Sequence, residues 1–135
     1  MNETPLNNIA NTSVAPSPIH GLGLFATATI PQGTCLANLD GQRVPWVVYA
    51  AREFAQDQFN EWNALLGDML LVRSFRTKYS FINHSRTPNC AVVADGNSVR
   101  VTALAEIQHG EELFLDYRRE PLPAGYVSGH GASYL

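Results

Sequence analysis

Residues 79–90 read Tyr-Ser-Phe-Ile-Asn-His-Ser-Arg-Thr-Pro-Asn-Cys. An apolar pair, Phe81-Ile82, runs straight into Asn83-His84-Ser85, three side chains that can donate, accept or carry a proton. Asn and Ser compete with regular backbone hydrogen bonding, and Pro88 pushes Thr87 toward an extended conformation. The chain therefore enters something buried and stops being regular over a cluster of polar groups suited to holding a ligand. Two other stretches carry groups with chemistry. Gly21-Leu22-Gly23 could simply serve a tight turn, and a lone Gly-x-Gly is a weak signal. Glu111-Glu112 and Asp116-Tyr117 flank the apolar run Leu113 to Leu115 and offer carboxylates and a phenol. Taken one at a time, each stretch has a plain structural reading. Asn83-His84 could be a satisfied polar cluster and Tyr117 a core tyrosine with a bonded hydroxyl. On an edge strand, Glu111 and Glu112 read as a solvated or structural pair rather than a general acid and base, and Asp116 reads as structural.

Several chemistries are excluded. The two cysteines, Cys35 and Cys90, form no Cys-x-x-Cys pair, and the four histidines are scattered. A structural zinc site needs three or four such ligands at close spacing, so no metal is expected. A disulfide between the two cysteines has nothing to support it. Gly21-Leu22-Gly23 lacks the third glycine and the Gly-Lys-Ser/Thr of phosphate-binding loops. Ser85 lacks the Gly-x-Ser-x-Gly elbow of a serine hydrolase. The net charge of −3 argues against direct nucleic-acid binding, which would favour a basic chain. No run approaches the roughly 20 apolar residues of a membrane span, and the first residues lack the basic and apolar regions of a signal peptide. The expectation is a soluble, cytoplasmic protein, with a secreted role directed at a host left open.

The elements that must position these groups are short. With 135 residues, 45% hydrophobic and 16% charged, one ordered domain is expected rather than a disordered chain. Residues 1–18 are polar, rich in Asn, Ser, Thr and Pro and without hydrophobic period; they read as a flexible tail. Strands are predicted over 22–26, 34–39 and 69–72. A helix is predicted over 46–59, where Val47, Ala50, Ala51 and Phe54 recur at three- and four-residue steps and Pro45 suits the start. Residues 90–94 and 98–105 read as a hairpin turning at Asp95-Gly96-Asn97, and 111–117 as a last strand. Residues 119–135 read as a second tail. The class is α+β, mostly β, with one main helix.

Taken together and in order, three motifs resemble one family. They are Gly21-Leu22-Gly23-Leu24-Phe25-Ala26; Phe81-Ile82-Asn83-His84-Ser85 with Pro88-Asn89; and Gly110-Glu111-Glu112-Leu113-Phe114-Leu115-Asp116-Tyr117. The chain resembles SET-domain protein lysine methyltransferases of the minimal bacterial or viral kind over about residues 19–118. The resemblance implies small curved antiparallel sheets and a pseudoknot-like crossing of the Asn-His and Asp-Tyr segments. It also implies S-adenosylmethionine as methyl donor and a protein or peptide lysine as acceptor. Carried over residue by residue, Leu22, Gly23, Asn83 and His84 would contact the cofactor, Tyr117 would be catalytic, and Ile82, Leu115 and Tyr79 would line the substrate channel. Three departures stand out. Leu39 and Leu115 occupy positions where the family commonly has aromatics, and no three-cysteine zinc motif follows Tyr117. The tail at 119–135 acting as a lid, or a second subunit in a homodimer, would then cover the channel. The leucines also admit a catalytically silent module that holds cofactor or peptide without turnover.

Overall fold

A computed structural model describes residues 8–19, 21–51, 61–73, 76–95 and 98–121. The order among these residues is β1 (Thr12–Pro16), β2 (Leu22–Ala26), β3 (Cys35–Leu39), β4 (Gln42–Pro45), α1 (Trp46–Ala51), β5 (Glu61–Leu65) and β6 (Met69–Arg73). A 3₁₀ turn follows (Lys78–Phe81), then β7 (Asn83–His84), β8 (Cys90–Asp95), β9 (Ser98–Ala103), β10 (Phe114–Leu115) and a second 3₁₀ turn (Tyr117–Arg119). The strands form four small sheets, ordered β1-β2, β3-β9-β8, β4-β6-β5 and β10-β7. This is the mostly-β α+β architecture expected of a SET domain.

The central strands are the ones whose sequence reads most plainly. In β9, Val99, Val101 and Ala103 are buried while Arg100 and Thr102 lie between them half-exposed, the two-residue alternation of a strand with one buried face. Its ladder with β8 closes at Asp95↔Ser98; the connecting residues 96–97, on which the expected turn falls, lie outside the described residues. In β6, Leu70, Leu71 and Val72 are all buried, because both faces are covered. Leu71 joins the main core with Leu24, Ile30, Leu39, Val101 and Ile107. Leu70 and Val72 join Val44 in a second cluster, against which Trp46, Tyr49 and Trp62 pack.

Three expectations need correction. Residues 8–16 are not a loose tail. β1 pairs antiparallel with β2 from Thr12↔Ala26 to Pro16↔Leu22, and Ile9 is fully buried. The backbone ladder forms whatever the side chains are, so polar composition concealed it. Lys78 fastens the segment: its ammonium donates to the Thr12 carbonyl at 2.6 Å and its backbone N–H to Asn8 Oδ1 at 3.1 Å. Residues 1–7 lie outside the described residues. The helix is seen only as α1; 52–60 lie outside the described residues. β4 and β5 were not anticipated, and in β5 the reason is physical. Its buried positions include Glu61 and Asn63, which break any apolar alternation.

The third correction concerns residues 111–117, which are not one strand. Ala26 N–H donates to the Glu111 carbonyl and Leu113 N–H to the Leu24 carbonyl, on the β2 side. Phe114 and Leu115 then pair in parallel with Asn83 and His84, and Ser85 N–H donates to the Leu115 carbonyl at 2.8 Å. Asn89 closes the other side like a strand neighbour: its Nδ2 donates to the Glu112 carbonyl and its Oδ1 accepts from Phe114 N–H, both at 2.8 Å. The segment is thus threaded between 83–85 and 89, which is the crossing. The second tail is described only over residues 119–121, and the 3₁₀ turn Tyr117–Arg119 ends at its first residue.

Candidate cofactor and lysine site

One wall of the site is the start of β2. Leu22 is half-exposed and Gly23 buried beneath it. The Asn83 amide reaches across, Nδ2 donating to the Leu22 carbonyl at 3.2 Å and to Glu112 Oε2 at 2.8 Å. The Glu112 carboxylate is buried and also accepts from the Ser17 hydroxyl, at 2.8 Å to Oε1 and 3.0 Å to Oε2. Sequence gave Gly23 a reason in the approach of a ligand. The structure adds another: a Cβ there would sit 2.9 Å from Glu112 Cδ, nearer still to Oε2, and 3.1 Å from Ser17 Cβ. Gly23→Ala is therefore expected to cost about 1–3 kcal/mol of stability and to displace Glu112 from Asn83. Melting temperature and cofactor calorimetry on the same sample check both effects.

The second wall is where β7 meets β10. His84 Nδ1 accepts from Tyr117 N–H at 3.0 Å, so the ring proton of the neutral imidazole sits on Nε2. The two rings lie 5.0 Å apart, tilted by 39°. The Tyr117 hydroxyl donates to the Ile82 carbonyl in a short hydrogen bond. Leu115 stands opposite His84 in the ladder. The side chains of Ile82 and Leu115 are both in the core, at 1% and 2% exposure; the part of Ile82 that meets the phenol is its carbonyl. Leu22, Gly23 and Asn83 are thus brought together at the start of β2, and His84, Ile82, Leu115 and Tyr117 where β7 meets β10. Tyr79 lies near Tyr117: its ring is buried below the Arg73 guanidinium, 5.8 Å from it, its hydroxyl donates to Glu120 at 3.4 Å, and its phenol interacts electrostatically with that of Tyr117.

Carboxylates hold the Tyr117 backbone in place. Asp116 caps the second 3₁₀ turn, accepting from Arg118 N–H at 3.1 Å and from the Arg118 guanidinium at 3.1 and 3.0 Å. Those Arg118 hydrogen bonds hold its carboxyl below the usual range. His84 Nδ1 lies 3.9 Å from Asp116, but that nitrogen is already taken by Tyr117 N–H. Glu120 behaves oppositely. Burial pushes its carboxyl up to about 7, with the negative charge of Asp116 adding to the rise and the Tyr79 hydroxyl opposing it. An unfolded glutamate ionises near 4.3. Between those two values the folded chain holds a proton that the unfolded chain has lost, so stability falls as pH rises through this window. Glu120→Gln is expected to match the wild type near pH 4 and to be the more stable protein at pH 8, in denaturant titrations at the two pH values.

Two residues at the site, Glu112 and Glu120, were undervalued in sequence. Glu111 is exposed and bonds Gln108 N–H, as a solvated residue would. Its neighbour Glu112 is buried against Asn83, and only the position of β1 and Ser17 reveals this. Glu120 carried no sequence signal. Cys35 is exposed and Cys90 buried, and both are free thiols; burial pushes the Cys90 thiol up to about 12. Among the described residues, no group of three His, Cys, Asp or Glu could hold a metal ion, and no helix is long and apolar enough to cross a membrane.

A threaded Asp-Tyr segment beside an Asn-His strand, flanked by small sheets, defines a SET-type domain. Residues 21–118 match the SET domain family, and the chain belongs to it. Relatives over most of this chain are histone-lysine N-methyltransferases by name. MEDEA of Arabidopsis thaliana is 27% identical over 123 residues, which is 86% of this chain and 18% of MEDEA. CLF of Oryza sativa subsp. japonica is 48% identical over 112 residues, 78% of this chain and 12% of CLF. An H3 lysine-4 specific enzyme of Schizosaccharomyces pombe is 33% identical over 117 residues, 76% of this chain and 12% of its own length. The chain thus spans less than a fifth of each of these three relatives.

Proposed function

We propose that this protein transfers a methyl group from S-adenosylmethionine to a lysine amine of a protein or peptide. The observation that carries the reading is the joint between the two motifs: the Tyr117 hydroxyl on the Ile82 carbonyl, with the Tyr117 backbone bonded to His84. The residues present fit the cofactor. Leu22 is half-exposed above a glycine, and the Asn83 amide beside it is held by the Leu22 carbonyl and Glu112, a main-chain and amide surface suited to a polar ligand. When bound, the cofactor supplies an electrophilic methyl on a sulfonium.

The chain's own residues have three tasks. Leu22, Gly23, Asn83 and His84 bind and orient. Tyr117 and the Ile82 carbonyl present oxygen dipoles toward the position of the transferred methyl and the amine, where fixed dipoles act without reorganising. The apolar side chains of Ile82 and Leu115 lie behind this point and lower the local dielectric. A lysine amine ionises near 10.4 in water; desolvation in such surroundings lowers that value, and the proton leaves to water, so no strong base is needed. Alignment of amine and methyl supplies much of the remaining acceleration.

The names of the relatives make histone-type tails the first substrates to try. The test is incubation with methyl-labelled S-adenosylmethionine and a pool of histones and cellular proteins, with labelled residues identified by mass spectrometry. Methyl-lysine is the expected product. Cofactor binding without transfer to any lysine-bearing pool would instead favour a silent binding module, the reading that Leu39 and Leu115 motivate. Absence of cofactor binding would sink both.

A further inference from the structure

Glu112 is a buried carboxylate that accepts three hydrogen bonds, and the transfer chemistry above gives it no part. Two come from Ser17, which lies just beyond β1, and one from Asn83 on β7. The hydrogen bonds are between residues 95 and 29 positions apart in sequence. They place the carboxylate where three segments meet: the residues leading into β2, the β2 glycine and the cofactor strand. A carboxylate only accepts. The two groups that take the Asn83 amide nitrogen, Glu112 Oε2 and the Leu22 carbonyl, are acceptors. They fix the nitrogen end of the amide toward themselves and the oxygen end away. Without Glu112, the amide would lose the shorter of these two hydrogen bonds. The Ser17 hydroxyl in turn accepts from Ile19 N–H at 3.1 Å, so the clamp is seated in a local turn. Gly23 is the residue whose missing side chain makes room for the carboxylate.

We infer that Glu112 is a positioning residue of the cofactor site: clamped by Ser17 and seated against Gly23, it holds the Asn83 amide in one orientation, which makes the segment before β2 part of cofactor recognition. This rests on the cofactor site proposed above. What Glu112 supplies is an acceptor in the right place rather than a charge for the ligand. The two roles separate cleanly. S-adenosylmethionine carries one more positive charge than its product, S-adenosylhomocysteine. Loss of a charge contact weakens the first alone, and loss of orientation weakens both alike.

The experiment is calorimetric titration of both ligands into the wild type and the Glu112→Ala, Glu112→Gln and Ser17→Ala variants, with each variant's melting temperature taken without ligand. Hydrogen bonds to a charged group of this kind are worth enough that Glu112→Ala should weaken both ligands about tenfold or more. Glu112→Gln should recover most of this, within about threefold of wild type, because its amide oxygen can accept from Asn83. Ser17→Ala should fall between, raising the KM for cofactor with kcat and the KM for peptide nearly unchanged. If Glu112→Ala does not fold, Ser17→Ala carries the test alone. A Glu112→Ala variant, or a Ser17→Ala variant where that one does not fold, that binds both ligands within twofold of wild type would overturn the inference. So would a Gln variant that loses S-adenosylmethionine and keeps S-adenosylhomocysteine. A wild type that binds neither ligand would overturn the cofactor reading itself, and the inference with it.

Discussion

Replacing Tyr117 by phenylalanine is expected to lower methyl transfer by about 10²–10³-fold, the range seen when one preorganised polar group is removed from a transition-state site. The loss should fall on kcat. The phenylalanine ring still fills the space beside His84, and the Tyr117 N–H to His84 bond is a backbone contact that survives the change. Cofactor affinity should therefore stay within a few-fold. The deleted hydroxyl leaves the Ile82 carbonyl short of one donor, which costs about 1–3 kcal/mol of stability if nothing replaces it. Single-turnover transfer to a methyl-accepting peptide, set beside cofactor calorimetry, reads both halves. Equal turnover by the two proteins would remove Tyr117 from the role proposed for it. Equal loss of turnover and of binding would make it a structural tyrosine.

The largest stability effect is expected away from the ligand walls, at Glu61. Its carboxylate is buried and accepts five hydrogen bonds: from Arg73 Nε at 2.6 Å, Thr77 Oγ1 at 2.6 Å, Thr77 N–H at 2.9 Å, Ser80 N–H at 3.1 Å and Ser80 Oγ at 2.5 Å. Arg73 is equally buried, and its other nitrogens reach the Asp40 carbonyl at 2.8 Å and Asn63 Oδ1 at 2.6 Å. Glu61→Ala leaves a buried guanidinium without its counter-charge, a defect that costs about 3–5 kcal/mol. That is a large share of the 5–15 kcal/mol available to a typical domain. The melting temperature should fall by roughly 10–20 °C. The double variant Glu61→Ala/Arg73→Met should recover part of the loss, since removing both partners of a buried pair is far less harmful than removing one. A double variant no better than the single would show that the pair is not the cause. The damage should also reach the site. Thr77 caps the 3₁₀ turn that leads into Ile82, Asn83 and His84, so cofactor affinity measured well below the melting point should fall too.

Motif residues and elements were legible to different degrees. Leu22, Asn83, His84 and Tyr117 stand out because their types are unusual for their surroundings: polar groups next to apolar runs and a glycine where a strand begins. β2, β6 and the β8–β9 hairpin were readable from apolar runs or alternation bounded by turn residues. β1 was not, since Ile9 and Val14 are the only large apolar side chains in residues 8–16 and the rest of its order comes from a backbone ladder and from Lys78. Nor was β5, whose buried Glu61 and Asn63 make sense only once Arg73 is opposite them. The run from 111 to 117 looked like one strand because alternation cannot report a change of partner along the way.

By itself the sequence determined which side chains are available for chemistry, the family to which they belong and the short-strand character of the chain, because these depend on residue type and near-neighbour spacing. The tertiary structure alone decided that residues 113–117 thread between 83–85 and 89, that Glu112 lies under Asn83 while Glu111 faces solvent, and that Glu61 and Arg73 share one buried site. Each of those outcomes depends on hydrogen-bond partners from 12 to 95 positions apart, and a backbone donor or a buried carboxylate carries no local mark of the partner it will meet.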